Sequence, residues 1–196
     1  MPSQTDRLAV VLIGHGSPAT DCPPQLIGEL MSLEWRAGSA GHDHGAGGRV
    51  PSPNDDLVRG RAEELDATIR NWPRHDGNDP YKAGLERVAE ALRPLLPTER
   101  LAIGYNEFCR PTIAEAIESV IREGAIRVLV IPSMLTPGGV HAERDIPRAL
   151  DALRIVHPAV AIDYLWPFDI QQVAALLAEH VSRALPQPGR SMRSTG

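Results

Sequence analysis

The sequence is poor in cysteine, and its two thiols, Cys22 and Cys109, lie far apart along the chain. Because they form no Cys-x-x-Cys pair and no ligand cluster, a disulfide scaffold, a zinc ribbon and an iron–sulfur site are disfavoured. Unpaired thiols are typical of a reducing compartment. We therefore expect a cytoplasmic protein.

Long apolar runs and excess positive charge are also missing. The longest apolar run near the start covers residues 8–13, far short of the roughly 20 residues that span a membrane. A secretory signal has a charged region, then an apolar region, then a cleavage site of small residues. The residues after Met1 do not show this order. The net charge of −5 disfavours a general nucleic-acid binder. We expect neither a membrane nor a nucleic acid as partner.

Glycine and proline, in contrast, are abundant, at 17 and 18 of 196 residues, against a usual total of roughly 12%. Many of them lie in residues 38–48 and 73–80, where they disfavour regular structure. Helix-like patterns cover residues 25–36 and 55–71. We interpret residues 22–80, approximately, as an insertion of two helices with a glycine-rich connection.

The remainder of the chain alternates strand and helix patterns. Short runs rich in β-branched residues predict buried strands, at residues 8–13, 101–105, 126–131 and 159–165. Apolar positions spaced three and four apart, with Thr112 and Glu115 as a capping box, predict intervening helices. This alternation predicts an α/β fold: a doubly wound, mainly parallel four-stranded sheet flanked by helices, with the insertion after strand one. We expect a single domain over residues 1–190 and a tail at 191–196.

Three polar side chains follow predicted strands, where ligands bind in open parallel sheets. His15 follows the first strand, Glu107 the second and His141 the third. Imidazole and carboxylate together are ligands for a borderline divalent metal such as cobalt, nickel, iron or zinc. The sequence therefore predicts a metal site formed by these three residues, although each taken singly could be an ordinary loop residue.

Several segments resemble the small sirohydrochlorin chelatases, the CbiX/SirB group of the class II chelatases. The similar segments are residues 12–17, 104–111, 128–132 and 138–147, and the last is the most specific because a glycine-led His141 precedes Asp145, Ile146 and Pro147. The resemblance covers residues 7–20 and about 81–185. It implies a chelatase-like fold and insertion of Co²⁺ or Fe²⁺, with Ni²⁺ as a further option, into sirohydrochlorin on the way to cobalamin or sirohaem.

The resemblance also implies roles for individual residues. His15, Glu107 and His141 match the metal-handling residues of the family, so we expect the histidines to hold the metal and accept protons, with Glu107 adding negative charge. The chain has one sheet unit where long family members have two, which implies a homodimer. The insertion departs from the family pattern; it could cover the pocket, replace the partner or signal a changed substrate.

A flat polycarboxylate substrate needs cationic side chains to bind its carboxylates and apolar side chains to contact its ring. Arg110, Arg144 and Arg148 are candidates to bind its carboxylates, and Ser17 and Met134 are candidates to contact it. The alternatives are solvated helix residues for the arginines and core packing for Met134.

Two further features are open to more than one interpretation. His42 and His44, in the glycine-rich stretch, could collect metal ions. Cys109 lies two residues from Glu107 and could touch metal, but a small buried residue is the simpler interpretation.

The absence of a P-loop disfavours an ATP-driven chelatase, and we expect no organic cofactor. One alternative function is a non-catalytic metal- or tetrapyrrole-binding protein. A hydrolase or transferase using Ser17 or Ser133 is a third, although no Gly-x-Ser-x-Gly elbow occurs.

Overall fold

The computed structural model describes residues 7–40 and 53–185. Its strands are β1 (Leu8–Gly14), β2 (Leu101–Tyr105), β3 (Arg127–Pro132) and β4 (Ala161–Tyr164). Its α-helices are α1 (Pro24–Ala40), α2 (Pro53–Arg70), α3 (Pro80–Leu92), α4 (Ile113–Arg122), α5 (Ile146–Val156) and α6 (Ile170–Ala184). A 3₁₀ turn (Arg93–Leu95) follows α3, and a π-helical turn (His141–Asp145) precedes α5.

The four strands form one sheet in the order β2-β1-β3-β4, and every pairing is parallel. β1 is central, with Gly14 paired to Tyr105 of β2 and Ile13 paired to Pro132 of β3. The three strands therefore end at the same level of the sheet. The predicted four-stranded parallel sheet is confirmed.

Helices cover both faces of this sheet. Ala9, Val11 and Ile13 of β1 are buried against α4 and α5. The alternate residues Val10 and Leu12 are buried on the other face, against α3. Because side chains alternate along a strand, a strand apolar at every position is buried on both faces, which is the doubly wound arrangement predicted from its sequence.

The two helices predicted for the insertion are present as α1 and α2. They pack on each other around a separate small core, which contains Ala19, Cys22, Leu30, Leu65 and Ile69. His42, His44 and the predicted tail at 191–196 lie outside the described residues. The extent of the predicted single domain stays a prediction.

Local capping signals set the helix boundaries. The Thr112 side chain accepts from the Glu115 backbone N–H, and the Glu115 carboxylate accepts from the Thr112 N–H, which is the predicted capping box. Gly124 follows α4 with φ +95°, a conformation that glycine adopts without strain. Among the described helices, none is both long enough and apolar enough to cross a bilayer.

The sheet core predicts a sharp contrast between two apolar residues of α5. Leu150 is fully buried and Ile155 is 80% exposed. We expect Leu150→Ala to lower the free energy of unfolding by about 2–5 kcal/mol because it leaves a cavity. Ile155→Ala, the control on the same helix, should change it by less than about 0.5 kcal/mol. Urea denaturation checks this, and equal effects would contradict the described core.

Candidate metal-binding site

Two loops at the carboxyl edge of the sheet are joined by backbone hydrogen bonds. The Asn106 N–H donates to the Gly14 carbonyl (2.9 Å), and the Glu107 N–H donates to the His15 carbonyl (2.8 Å). These bonds continue the β1–β2 ladder past the last paired residues. This register of β1 and β2 makes His15 and Glu107 neighbours.

Gly16 permits this close approach of the two loops. Its φ is +93°, and a Cβ at this position would lie 1.9 Å from the Glu107 carbonyl oxygen. Any side chain would meet both a strained backbone conformation and a backbone atom that has little room to move. The glycine after His15 is thus a steric requirement of the site.

The hydrogen bonds of His15 define which ring nitrogen is free. Its Nδ1 lies 2.8 Å from the Gly16 carbonyl oxygen, which can only accept. Nδ1 therefore bears the proton, and Nε2 keeps its lone pair. Nε2 lies 4.0 Å from Glu107 Oε2, so the free nitrogen and the carboxylate face the same space.

His141 is held by partners on its own turn and on the neighbouring loop. Its Nδ1 lies 2.8 Å from Asp145 Oδ2 and 3.6 Å from Glu107 Oε1. Because an ionised carboxylate only accepts, the contact with Asp145 is a hydrogen bond when His141 Nδ1 carries a proton. The Asn106 amide nitrogen Nδ2 lies 2.9 Å from the same Nδ1.

The π-helical turn explains why His141 meets Asp145, four residues later. Tyr164 of β4 supports that turn, since its hydroxyl donates to the Ala142 carbonyl (3.0 Å). Burial, followed by the nearby charge of Glu143, raises the pKa of Tyr164 to about 12. The hydroxyl is therefore a stable donor at neutral pH.

The three predicted ligands come together. One ligand atom from each of His15, Glu107 and His141 lies within 4.8 Å of the others, and the imidazole rings meet edge to face at 4.5 Å. Their side chains are 40%, 33% and 27% exposed, so an ion can reach them from solvent. Two imidazoles and a carboxylate suit Co²⁺, Fe²⁺, Ni²⁺ or Zn²⁺. Their metal-binding and catalytic roles stay predictions.

The predicted substrate-binding residues are dispersed around this cluster. Arg110 pairs with Glu115 (2.6 Å), and Arg144 pairs with Asp145 (3.1 Å). Arg148 is exposed on α5. Ser17 is half buried, and half-buried Met134 packs against the main core. The packing of Met134 matches the alternative stated for it, and all five substrate-binding roles stay predictions.

Cys109 is fully buried. Burial raises the pKa of its thiol, which disfavours the thiolate that a metal requires. The simpler interpretation as a small buried residue agrees with this environment.

Sequence reasoning missed three residues that contact the cluster. Asp145 and Asn106 contact the His141 ring, and the Tyr81 hydroxyl accepts from the His15 N–H (2.8 Å). The four-residue spacing from His141 to Asp145 was a usable signal for a helical turn. Contacts of Asn106 and Tyr81 with residues 35 and 66 positions away depend on tertiary packing.

The insertion also lies close to the site. Desolvation, followed by the negative charges of Glu107 and Asp66, raises the pKa of Glu34 on α1. Helix α1 therefore brings a further carboxyl group within electrostatic range of Glu107.

A sequence model described as CbiX matches residues 77–184. This segment contains Glu107 and His141, whereas His15 and most of the insertion precede it. The match covers more than half of the chain.

Individual relatives are similar over shorter segments. A sirohydrochlorin cobaltochelatase from Methanopyrus kandleri is 34% identical over 77 residues, covering 39% of this chain and 53% of the relative. One from Methanocaldococcus jannaschii is 40% identical over 86 residues, covering 42% and 58%. A sirohydrochlorin ferrochelatase from Priestia megaterium is 28% identical over 108 residues, covering 55% and 39%. The matches thus span 39–58% of the length of these relatives.

A solved structure of the sirohydrochlorin chelatase SirB from Bacillus subtilis subspecies spizizenii, in complex with cobalt, superposes with a TM-score of 0.45 at 17% identity. It covers 91% of this chain and 51% of that one.

The tight approach at Gly16 generates a prediction. We expect Gly16→Ala to destabilise the protein by about 1–3 kcal/mol and to weaken Co²⁺ binding, because the new methyl group forces the two loops apart. Gly28→Ala is the matched control, since Gly28 lies in α1 with open space around its Cβ position. It should be neutral or stabilising by up to about 1 kcal/mol. Thermal unfolding and Co²⁺ titration measure both effects, and wild-type behaviour of Gly16→Ala would contradict the described contact.

Proposed function

Because the chain belongs to the CbiX family, we propose that it inserts a divalent metal ion into a tetrapyrrole without ATP. The proposed substrates are sirohydrochlorin and Co²⁺ or Fe²⁺. The proposed role is in cobalamin or sirohaem synthesis. The convergence of His15, Glu107 and His141 within 4.8 Å at the carboxyl edge of the sheet is the observation that carries this proposal. The names of the similar cobaltochelatases and ferrochelatase agree with it.

The reaction exchanges one metal ion for two protons, since a free tetrapyrrole loses two pyrrole N–H protons as the ion enters. His15 and His141 each hold the incoming ion through one ring nitrogen. Each neutral imidazole then accepts one of the two pyrrole protons as the ion leaves. Glu107 adds the negative charge that attracts a divalent cation and stabilises the protonated rings.

The supporting contacts suit a transfer site. Asp145 orients the His141 ring, as a carboxylate beside a metal-binding histidine does. The partial exposure of all three side chains leaves room for the ion to be released to a flat ligand. We propose no organic cofactor, since the metal ion and the tetrapyrrole are the only reactants. The two buried, unpaired cysteines support the cytoplasmic location expected from the sequence.

A direct assay tests this function. Purified protein is mixed anaerobically with sirohydrochlorin and Co²⁺ or Fe²⁺, and the absorbance change is compared with the spontaneous rate. We expect His15→Ala and His141→Ala each to lower the protein-dependent rate at least about a hundredfold, because each removes a ligand and proton acceptor.

His75→Ala is the control, because His75 is exposed and lies outside the three-residue cluster. It should keep the wild-type rate, and circular dichroism should show that all three variants fold. A wild-type protein that binds Co²⁺ and adds nothing to the spontaneous rate would favour the non-catalytic binding protein instead.

We propose that the protein is a homodimer that pairs through α6. Within this described helix only Val173 is partly buried, and all other residues are exposed. Ile170, Leu177 and Val181 are 69%, 58% and 59% exposed, and with Val173 they lie at the spacing of one helix face. An exposed apolar face of this kind is typical of an interface.

Light scattering coupled to gel filtration tests the dimer. We expect Leu177→Arg to convert the dimer to a monomer, because it places a charge in the centre of the apolar face. Gln172→Arg changes an exposed polar residue of the same helix and should leave the dimer intact. A wild-type monomer, or a dimer that survives Leu177→Arg, would contradict pairing through α6.

A further inference from the structure

Two arginines of the insertion contact the backbone of the loop that contains Glu107. Arg70, at the end of α2, donates from Nη2 to the Asn106 carbonyl (3.0 Å) and from Nη1 to the Cys109 carbonyl (3.1 Å). Arg74 donates from Nη2 to the Phe108 carbonyl (2.5 Å). The carbonyls on either side of Glu107 therefore all accept from a guanidinium, and such charge-assisted bonds are stronger than neutral ones.

Arg74 also joins this loop to the loop that follows β1. Its Nη1 donates to the Ser17 carbonyl (2.8 Å) and forms an ion pair with Asp79, the N-cap of α3. The side chains of Arg74 and Asp79 are 8% and 1% exposed. A single buried guanidinium thus contacts the loops of both His15 and Glu107.

Phe108 anchors the same loop by packing. It has φ +58°, an uncommon conformation for a bulky residue, which persists where the surroundings hold it. Phe108 packs against the small core between α1 and α2. The insertion therefore compensates the unfavourable backbone of the residue next to Glu107.

The loop is bound on two sides. Its N–H groups at Asn106 and Glu107 donate to the β1 loop, and its carbonyls accept from Arg70 and Arg74 of the insertion. We propose that the insertion orients Glu107 against the two imidazoles, with Arg70 and Arg74 as positioning residues. This inference rests on the proposed metal site, and it assigns to the insertion the support of a metal ligand.

Arg70→Met is the informative variant. Removing Arg74 would leave the buried Asp79 carboxylate without its partner, which is strongly destabilising and obscures the result. Asp66, the ionic partner of Arg70, is 34% exposed and remains hydrated. We expect Arg70→Met to weaken Co²⁺ binding about tenfold, as loss of a residue that supports a metal ligand does. Titration followed by the Co²⁺ absorption bands measures this directly.

Arg61→Met is the matched control. Arg61 lies on the same helix and pairs with Glu29 of α1 (2.8 Å) at the surface, away from the Glu107 loop. It should bind Co²⁺ as the wild type does. Equal affinities for the wild type and Arg70→Met would overturn the inference.

A double-mutant cycle separates positioning from a general structural effect. If Arg70 acts through Glu107, Arg70→Met should change the Co²⁺ affinity less than about twofold in a Glu107→Gln background, whereas independent effects add. A tenfold loss in both backgrounds would overturn the inference.

The same titration distinguishes this inference from the proposed function. Wild-type protein that binds Co²⁺ without chelatase activity would contradict the proposed function. The double-mutant cycle would still test the role of Arg70, because it measures Co²⁺ affinity. Wild-type protein that binds no Co²⁺ would overturn both.

Discussion

The site depends on the parallel pairing of β1 with β2 and β3. In this register Gly14 lies opposite Tyr105 and Ile13 lies opposite Pro132, so the chain leaves all three strands at one edge. The ladder continues beyond the strands, because Asn106 and Glu107 donate to the carbonyls of the β1 loop and Ser133 donates to Ile13 (2.7 Å). A one-residue slip of either pairing would reverse which side chains face the core and separate the three candidate ligands. The hydrophobic core thereby determines the geometry of the site.

The sheet and the insertion together provide the hydrogen-bond partners of the Glu107 loop. The sheet satisfies the N–H groups of the Glu107 loop, and the arginines of the insertion satisfy its carbonyls. Buried or crowded backbone groups need such partners, because an unpaired carbonyl or N–H is costly. The two-helix insertion therefore contacts the Glu107 loop through hydrogen bonds to its backbone, in addition to forming its own small core.

In the proposed reaction, the three candidate ligands must both bind a divalent metal ion and release it. Two imidazoles and one carboxylate attract a divalent cation, while their partial exposure and limited number leave coordination positions open to a second ligand. The Gly16 carbonyl sets the tautomer of His15, and Asp145 holds the His141 ring in place, so the two rings are positioned before an ion arrives. Preorganisation of this kind lowers the cost of binding.

The sequence by itself determined the strands, the capped helices and the three candidate ligands. Apolar runs, the Thr112–Glu115 capping box and polar residues after strands are local patterns, and each depends on neighbours within a few positions. Only the tertiary structure decided that Asn106 and Asp145 hold His141, that Met134 packs in the core, and that Arg70 and Arg74 bind the Glu107 loop. These contacts of the insertion join residues 34 to 39 positions apart. Periodicity along the chain does not encode them, because they exist only after the sheet and the insertion have packed together.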